Sequence, residues 1–271
     1  MIVRKYHGLG NDYLVLEDAG GVSLTPELVV RICDRHTGVG SDGILEPRQG
    51  VDADFGLQIW NPDGSTAEKS GNGLRIFARW LVDHRGADSR HSISLPVGVV
   101  HCDVSEASIT VQMGRATFVP AEVPCTQPLL DAPILVHGVT LRATAVGMGN
   151  PHCVVLCEGD LDALPWRAWG ASLEVSSRFP NKTNCQFVVP ISRSRVAARI
   201  WERGAGETQA SGSSSCAVAA AMVRLGLMDS NVEVVMPGGV LAVHVSDDWD
   251  VTLTGPVAEI GCIEVSAALL G

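Results

Sequence analysis

Two serines sit at the centres of matching polar loops. Asn61-Pro62-Asp63-Gly64-Ser65 leads to Ser70-Gly71-Asn72-Gly73 and then to the apolar stretch 74–81. Glu202-Arg203-Gly204-Ala205-Gly206-Glu207 leads to Ser211-Gly212-Ser213 and then to the apolar stretch 216–225. Each apolar stretch reads as a helix opened by Ser-Gly. The first amides of a helix have no intrahelical acceptor and lie at the positive end of its dipole, so they attract an anion. Two such termini facing one another could hold one carboxylate from two sides. A nearly symmetric pocket of that kind suits chemistry on the two faces of one atom. Each serine alone is also an ordinary helix cap. What argues for more is its recurrence at matching places, beside Asn72 and Ser213.

Around these loops lie Asn11, Asn61, Asn150, Asn184, Glu202 and Arg203, all polar residues in glycine-rich or apolar settings. An asparagine in a glycine-rich turn is often only a turn former, and Glu202-Arg203 also fits a solvated pair at a strand end. As a set they could recognise both charges of an amino acid. Glu202 would take the cation, Arg203 the anion in bidentate fashion, and the amides would fix orientation. His7, His36 and His152 lack metal-ligand spacing, so turn or packing roles are expected and no cofactor or metal is called for. The lone G-x-G-x-x-G at Gly38-Val39-Gly40-Ser41-Asp42-Gly43 follows a helix-like segment and precedes no helix, which fails the context a dinucleotide site needs.

The elements that must position these loops recur at one offset of about 140 residues. Gly8-Leu9-Gly10-Asn11-Asp12 is echoed by Gly147-Met148-Gly149-Asn150-Pro151, and Leu95-Pro96-Val97-Gly98 by Met236-Pro237-Gly238-Gly239. Each of those prolines lies 26 residues after its serine. This is the signature of a duplicated domain. Each half reads mainly as short strands: 14–17, 56–60, 92–95, 97–104 and 108–113 in the first, and 134–141, 151–156, 186–189, 195–201, 232–236 and 240–245 in the second. Segment 27–35 has an amphipathic helical pattern, 160–169 and 171–177 are helical or loop-like, and the two principal helices run over 73–82 and 213–225. The halves are set at 1–117 and 118–256, with 257–271 returning to the first as a strand.

Bulk numbers narrow the function classes. Apolar residues at 46% and charged ones at 18% let each half bury a core. A formal net charge of −10 with no Lys/Arg run argues against nucleic acid. Eight cysteines without a C-x-x-C pair read as reduced core thiols of a cytoplasmic protein. No signal segment or membrane-length apolar run is expected.

Taken together, His7-Gly8-Leu9-Gly10-Asn11-Asp12, the 61–65 and 70–75 loops, Gly149-Asn150-Pro151-His152, Asn184, the 202–208 loop and Pro237-Gly238-Gly239 resemble the diaminopimelate epimerases, in order and over essentially the whole chain. The resemblance implies an α/β fold of two pseudo-symmetric domains. Each would be a β-sheet curled around a central helix, with the active site in the cleft between them. It implies inversion of one α-carbon of diaminopimelate without pyridoxal phosphate, in the lysine and peptidoglycan pathway, by two opposed thiols. It assigns Asn11, Asn61, Asn150, Asn184, Glu202 and Arg203 to the distal end of the substrate. The amides of Gly71-Asn72 and Gly212-Ser213 are assigned to the reacting carboxylate. A homodimer is implied as well.

The family's two catalytic cysteines fall at Ser70 and Ser211. A thiol near pKa 8.5 can be lowered toward neutrality by a helix N-terminus, whereas a serine hydroxyl is far less acidic and needs an adjacent base. Cys216 reads as core, and Cys185 lies nearer the expected pocket. Three readings fit. The first is a diaminopimelate epimerase scaffold impaired by loss of both thiols. The second is a divergent Ser/Ser racemase, isomerase or dehydratase of the same fold. The third is a non-catalytic amino-acid-binding protein. The full distal-end set favours the first, because a shorter amino acid would leave Asn61, Asn184 and Arg203 unpartnered.

Overall fold

The structure, a computed structural model, describes residues 1–271. The chain divides into two compact units, Met1–Val111 with Gly255–Gly271, and Gln112–Thr254. The first contains β1 (Ile2–Gly8), β2 (Asn11–Asp18), α1 (Pro26–Cys33), β3 (Ile44–Arg48), β4 (Phe55–Trp60), β5 (Thr66–Ala67), α2 (Gly71–Arg85), β6 (Arg90–Leu95) and β7 (Gly98–Val104). Strand β8 (Ile109–Arg115) leads into the second unit. There follow β9 (Ala132–Val136), β10 (Val139–Gly147), β11 (Pro151–Leu156), α3 (Trp166–Glu174), β12 (Asn184–Ser192), β13 (Arg195–Glu202), β14 (Gly206–Thr208), α4 (Gly212–Arg224), β15 (Asn231–Met236), β16 (Gly239–Val245) and β17 (Asp250–Gly255). The chain then returns to the first unit as β18 (Ala258–Glu264) and α5 (Ala267–Leu270).

The repeat read from the loops extends to strand pairing. In the first unit the order is β18-β1-β2-β3-β4-β6-β7-β8, and the pairings run antiparallel, antiparallel, parallel, antiparallel, parallel, antiparallel, antiparallel. In the second, β9-β10-β11-β12-β13-β15-β16-β17 shows the same sequence of senses. A short strand folds back on the fifth member in both, β5 on β4 and β14 on β13, and delivers the chain to the helix. The outer position held by β9 in the second unit is filled by β18 in the first. That pairing makes the 257–271 segment part of the first unit's sheet.

Helix α4 is enclosed because its sequence is small and apolar on most faces, and α2 is enclosed along its N-terminal half. In α2 every residue from Gly71 to Ala78 is buried, and Gly86 (φ 66°) ends the helix in the left-handed conformation that glycine adopts without steric cost. In α4, Ser214 to Met222 are all buried. Helix α1 is opened by Thr25, whose side chain accepts from Leu28 N–H, with proline in the first turn; it buries Leu28, Val29, Ile32 and Cys33.

The structure adds β1, β3, β5, β14 and β17, which the sequence reading did not place, and it changes two further readings. The single strand expected over 134–141 is a hairpin, β9–β10, closed by His137 (φ 48°) and Gly138 (φ 79°), with Val136 paired to Val139. Both turn residues have positive φ, as a type I′ loop requires. The β-branched residues on either side concealed the turn. Seven of the cysteines are buried, but Cys262 is exposed because its side of β18 faces solvent. The glycine-rich 38–43 segment runs from α1 to β3, so it has neither a preceding strand nor a following helix.

Candidate active site

Ser70 leaves β5 in an extended conformation and caps α2. Its Oγ accepts from Gly73 N–H at 3.0 Å and its carbonyl accepts from Leu74 N–H at 2.9 Å. That leaves the N–H groups of Gly71 and Asn72 as first-turn donors with no intrahelical acceptor. The Tyr13 hydroxyl approaches Ser70 Oγ to 3.2 Å. Gly43 makes room for this tyrosine: a Cβ there would come within 2.7 Å of the Tyr13 ring and collide with the Trp60 carbonyl.

The structure brings Asn11 and Asn72 together in the first unit. Asn72 Nδ2 donates to Asn11 Oδ1 at 3.0 Å, and Asn72 Oδ1 accepts from the buried Arg75 guanidinium at 2.6 Å. Arg75 also donates to the Gly71 carbonyl at 3.2 Å. Asn11 Nδ2 donates to Asp42 at 2.7 Å, and Asp42 is held in turn by the Asp12 amide and by Arg35. Asp12 takes Lys5 at 3.0 Å and Arg35 at 2.7 Å. Burial pulls the Asp12 carboxyl upward, but the Arg35 and Lys5 hydrogen bonds outweigh it and hold the group below the usual carboxylate range. Asn61 is placed differently. Its Nδ2 donates to Ser65 Oγ at 2.9 Å and its backbone closes the β4–β5 turn, so its side chain serves that loop and not the Asn11–Asn72 pair.

In the second unit Ser211 caps α4 in the same way, with Ser214 N–H at 3.5 Å from its Oγ and Ser215 N–H at 3.0 Å from its carbonyl. Gly212 and Ser213 are then the first-turn amides without an intrahelical acceptor. Asn184 and Arg203 are joined directly: Asn184 Oδ1 accepts from Arg203 N–H at 2.9 Å while its Nδ2 donates to the Pro151 carbonyl at 3.0 Å. Arg203 Nη1 donates to the Asn181 carbonyl at 3.2 Å. Glu174, from α3, accepts from Gly204 N–H and Trp201 Nε1, which fixes the turn that carries Glu202 and Arg203. Burial raises the Glu174 carboxyl, but those hydrogen bonds and Lys182 bring it below its ordinary value. Asn150 Oδ1 lies 2.8 Å from His152 Nε2.

Several of these groups escaped the sequence reading. Arg75 carried a signal, a charge within the otherwise apolar face of a helix. Gln186 did too, as an amide inside an apolar strand. Tyr13, Asp42 and Glu174 carried none, because chain packing alone brings them to the loops. Cys185 is fully buried, and desolvation pushes its thiol well above the ordinary range. Burial likewise raises Cys153 to about 12.

Each unit thus presents a serine-capped helix start whose first two amides lack an intrahelical acceptor, and in the first unit Asn11 and Asn72 are held together there. Among solved structures the overall fold is shared with a hydroxyproline epimerase from Agrobacterium vitis with bound trans-4-hydroxy-L-proline (TM-score 0.71, 15% identity, 97% of this chain and 90% of that one). It is shared too with a phenazine biosynthesis protein of the PhzF family from Bacillus anthracis (TM-score 0.70, 17% identity, 98% and 99%). The fold is therefore the sheet-dominant α/β fold of this group. The sequence profile of diaminopimelate epimerase matches residues 3–119 and 144–260. "Diaminopimelate epimerase 2" of a Nostoc species is 42% identical over 98% of this chain and 95% of its own length, and a Pseudomonas fluorescens diaminopimelate epimerase is 39% identical over 96% and 98%. The chain belongs to the diaminopimelate epimerase family and is an isomerase of epimerase type. No helix is long and apolar enough to cross a membrane.

Proposed function

We propose that this chain binds diaminopimelate as the substrate of LL-to-meso epimerisation, and that its turnover is impaired at the proton-transfer step because Ser70 and Ser211 replace the two thiols. The observation that carries the proposal is the matched capping of α2 and α4 by these serines, in a chain of this family. In two-base inversion the Cα–H bond breaks on one face, its electron pair spreads into the α-carboxylate, and a new Cα–H bond forms on the other face. Amides of Gly71-Asn72 and Gly212-Ser213 would stabilise the charge that builds on that carboxylate. Asn11, Asn61, Asn150, Asn184, Glu202 and Arg203 would hold the distal amino-acid end. The abstracting group must be anionic, and a serine hydroxyl reaches that state far less readily than a thiol does. No cofactor enters this scheme, and a cytoplasmic homodimer is the form proposed.

Calorimetric titration tests the substrate assignment. Diaminopimelate is expected to bind at least about tenfold more tightly than lysine, which lacks the distal carboxylate, a difference of about 1.4 kcal/mol. Equal affinity contradicts the distal-end assignment. One observation favours a second reading, that of a divergent Ser/Ser racemase, isomerase or dehydratase. The Tyr13 hydroxyl beside Ser70 Oγ places a second ionisable group at that cap. Preference for a short amino acid over diaminopimelate in the same titration selects that reading. Binding without any exchange by either the native chain or a thiol-restored variant selects the non-catalytic binder.

A further inference from the structure

A buried polar chain in the second unit joins one end of the proposed site to the other. Gln186, fully buried on β12, donates from Nε2 to Ser214 Oγ at 3.0 Å and lies 3.0 Å from His152 Nδ1 by the same nitrogen. His152, also fully buried, has its Nε2 at 2.8 Å from Asn150 Oδ1. Ser214 is the residue whose backbone N–H meets the Ser211 cap.

The hydrogen-bond polarity of this chain has two formal settings. In one, Gln186 donates to both neighbours, His152 accepts at Nδ1 and donates from Nε2, and Asn150 receives at Oδ1 and turns its NH2 away. In the other every direction reverses, His152 carries its proton on Nδ1, and Asn150 turns its carbonyl away. The first leaves only the Gln186 carbonyl oxygen unpartnered and buried. The second would leave both amide hydrogens of Gln186 buried without acceptors, the costlier fault. Burial, followed by the nearby Arg203 charge, pushes the imidazole down to about 3, so one ring nitrogen is free to accept at neutral pH.

We infer that Gln186 is a positioning residue: it holds His152 as the neutral Nε2–H tautomer and thereby makes Asn150 present a hydrogen-bond donor to the ligand. Asn150 then suits a carboxylate oxygen and not an ammonium group. The inference rests on the reading that Asn150 lines the ligand site, but the tautomer itself does not depend on any ligand.

Long-range 1H–15N correlation of histidine-labelled protein tests it, with His152→Gln supplying the assignment. The native, ligand-free chain is expected to show His152 protonated on Nε2 alone, unchanged from pH 8 to pH 5. Gln186→Glu, which offers only acceptors, is expected to move the proton to Nδ1 or to charge the ring, and to weaken diaminopimelate binding about tenfold or more. Gln186→Met, which keeps bulk but offers neither group, is expected to give mixed tautomers and intermediate binding. A native ring protonated on Nδ1, or charged at pH 7, overturns the inference without use of any variant. A tautomer change with unaltered binding overturns the role given to Asn150. If the native chain shows the Nε2–H tautomer and binds no diaminopimelate, the substrate assignment fails and the part given to Asn150 fails with it, while the tautomer held by Gln186 stands.

Discussion

At the scale of single residues, Ser70 and Ser211 do structural work whatever chemistry they support. Each hydroxyl accepts from an amide in the first turn of its helix. Ser70→Ala should therefore lower stability by about 0.5–2 kcal/mol, the usual value of an N-cap, read as a shift in the urea midpoint. Ser211→Ala should cost less, because its contact is longer at 3.5 Å. Tyr13→Phe removes the hydroxyl beside Ser70 and keeps the ring that packs on Gly43. Under the diaminopimelate reading it should change ligand affinity less than about threefold, on the order of 0.6 kcal/mol, and a large loss would turn attention to the divergent reading. The serine loops, Asn11, Asn72 and Asn150 stood out in the sequence because glycine-flanked polar residues interrupt apolar stretches. Tyr13 was not assigned to the site, since a residue on a core-facing side of a strand looks the same whether it packs or also touches a loop.

At the scale of elements, the positions of most strands and both central helices could be read from alternation and from the Ser-Gly starts. The β9–β10 hairpin was hidden because His137-Gly138 lacks the Asn or Asp that usually marks a two-residue turn. The start of β2, the loop after α1 and β1 are tied together by a charged group that spacing could not foretell: Lys5, Asp12, Arg35 and Asp42. This group holds Asn11 through Asp42. The folded-state Asp12 carboxyl titrates below its ordinary value. Its contribution to stability is therefore complete above about pH 4, the unfolded value, and is lost as pH falls through the lower folded value. Asp12→Asn should cost about 1–3 kcal/mol at pH 7. The gap between native and variant urea midpoints should shrink as pH falls below about 4. A gap of constant size across that range contradicts the assignment.

At the scale of the whole molecule, duplication was the most legible feature, and the structure extends it from loop motifs to the order and sense of eight strand positions in each unit. The first unit takes one of its strands, β18, from the far end of the chain, where the sequence reading expected a returning strand, and it fills the outer position that β9 holds in the second unit. The proposal that this chain holds diaminopimelate but lacks competent proton carriers is tested most directly by solvent-deuterium incorporation at Cα of diaminopimelate, followed by 1H NMR. The native chain should exchange slowly or not at all, and Ser70→Cys/Ser211→Cys should exchange at least about a hundredfold faster, a barrier change on the order of 3 kcal/mol. Rapid exchange by the native chain would contradict the account.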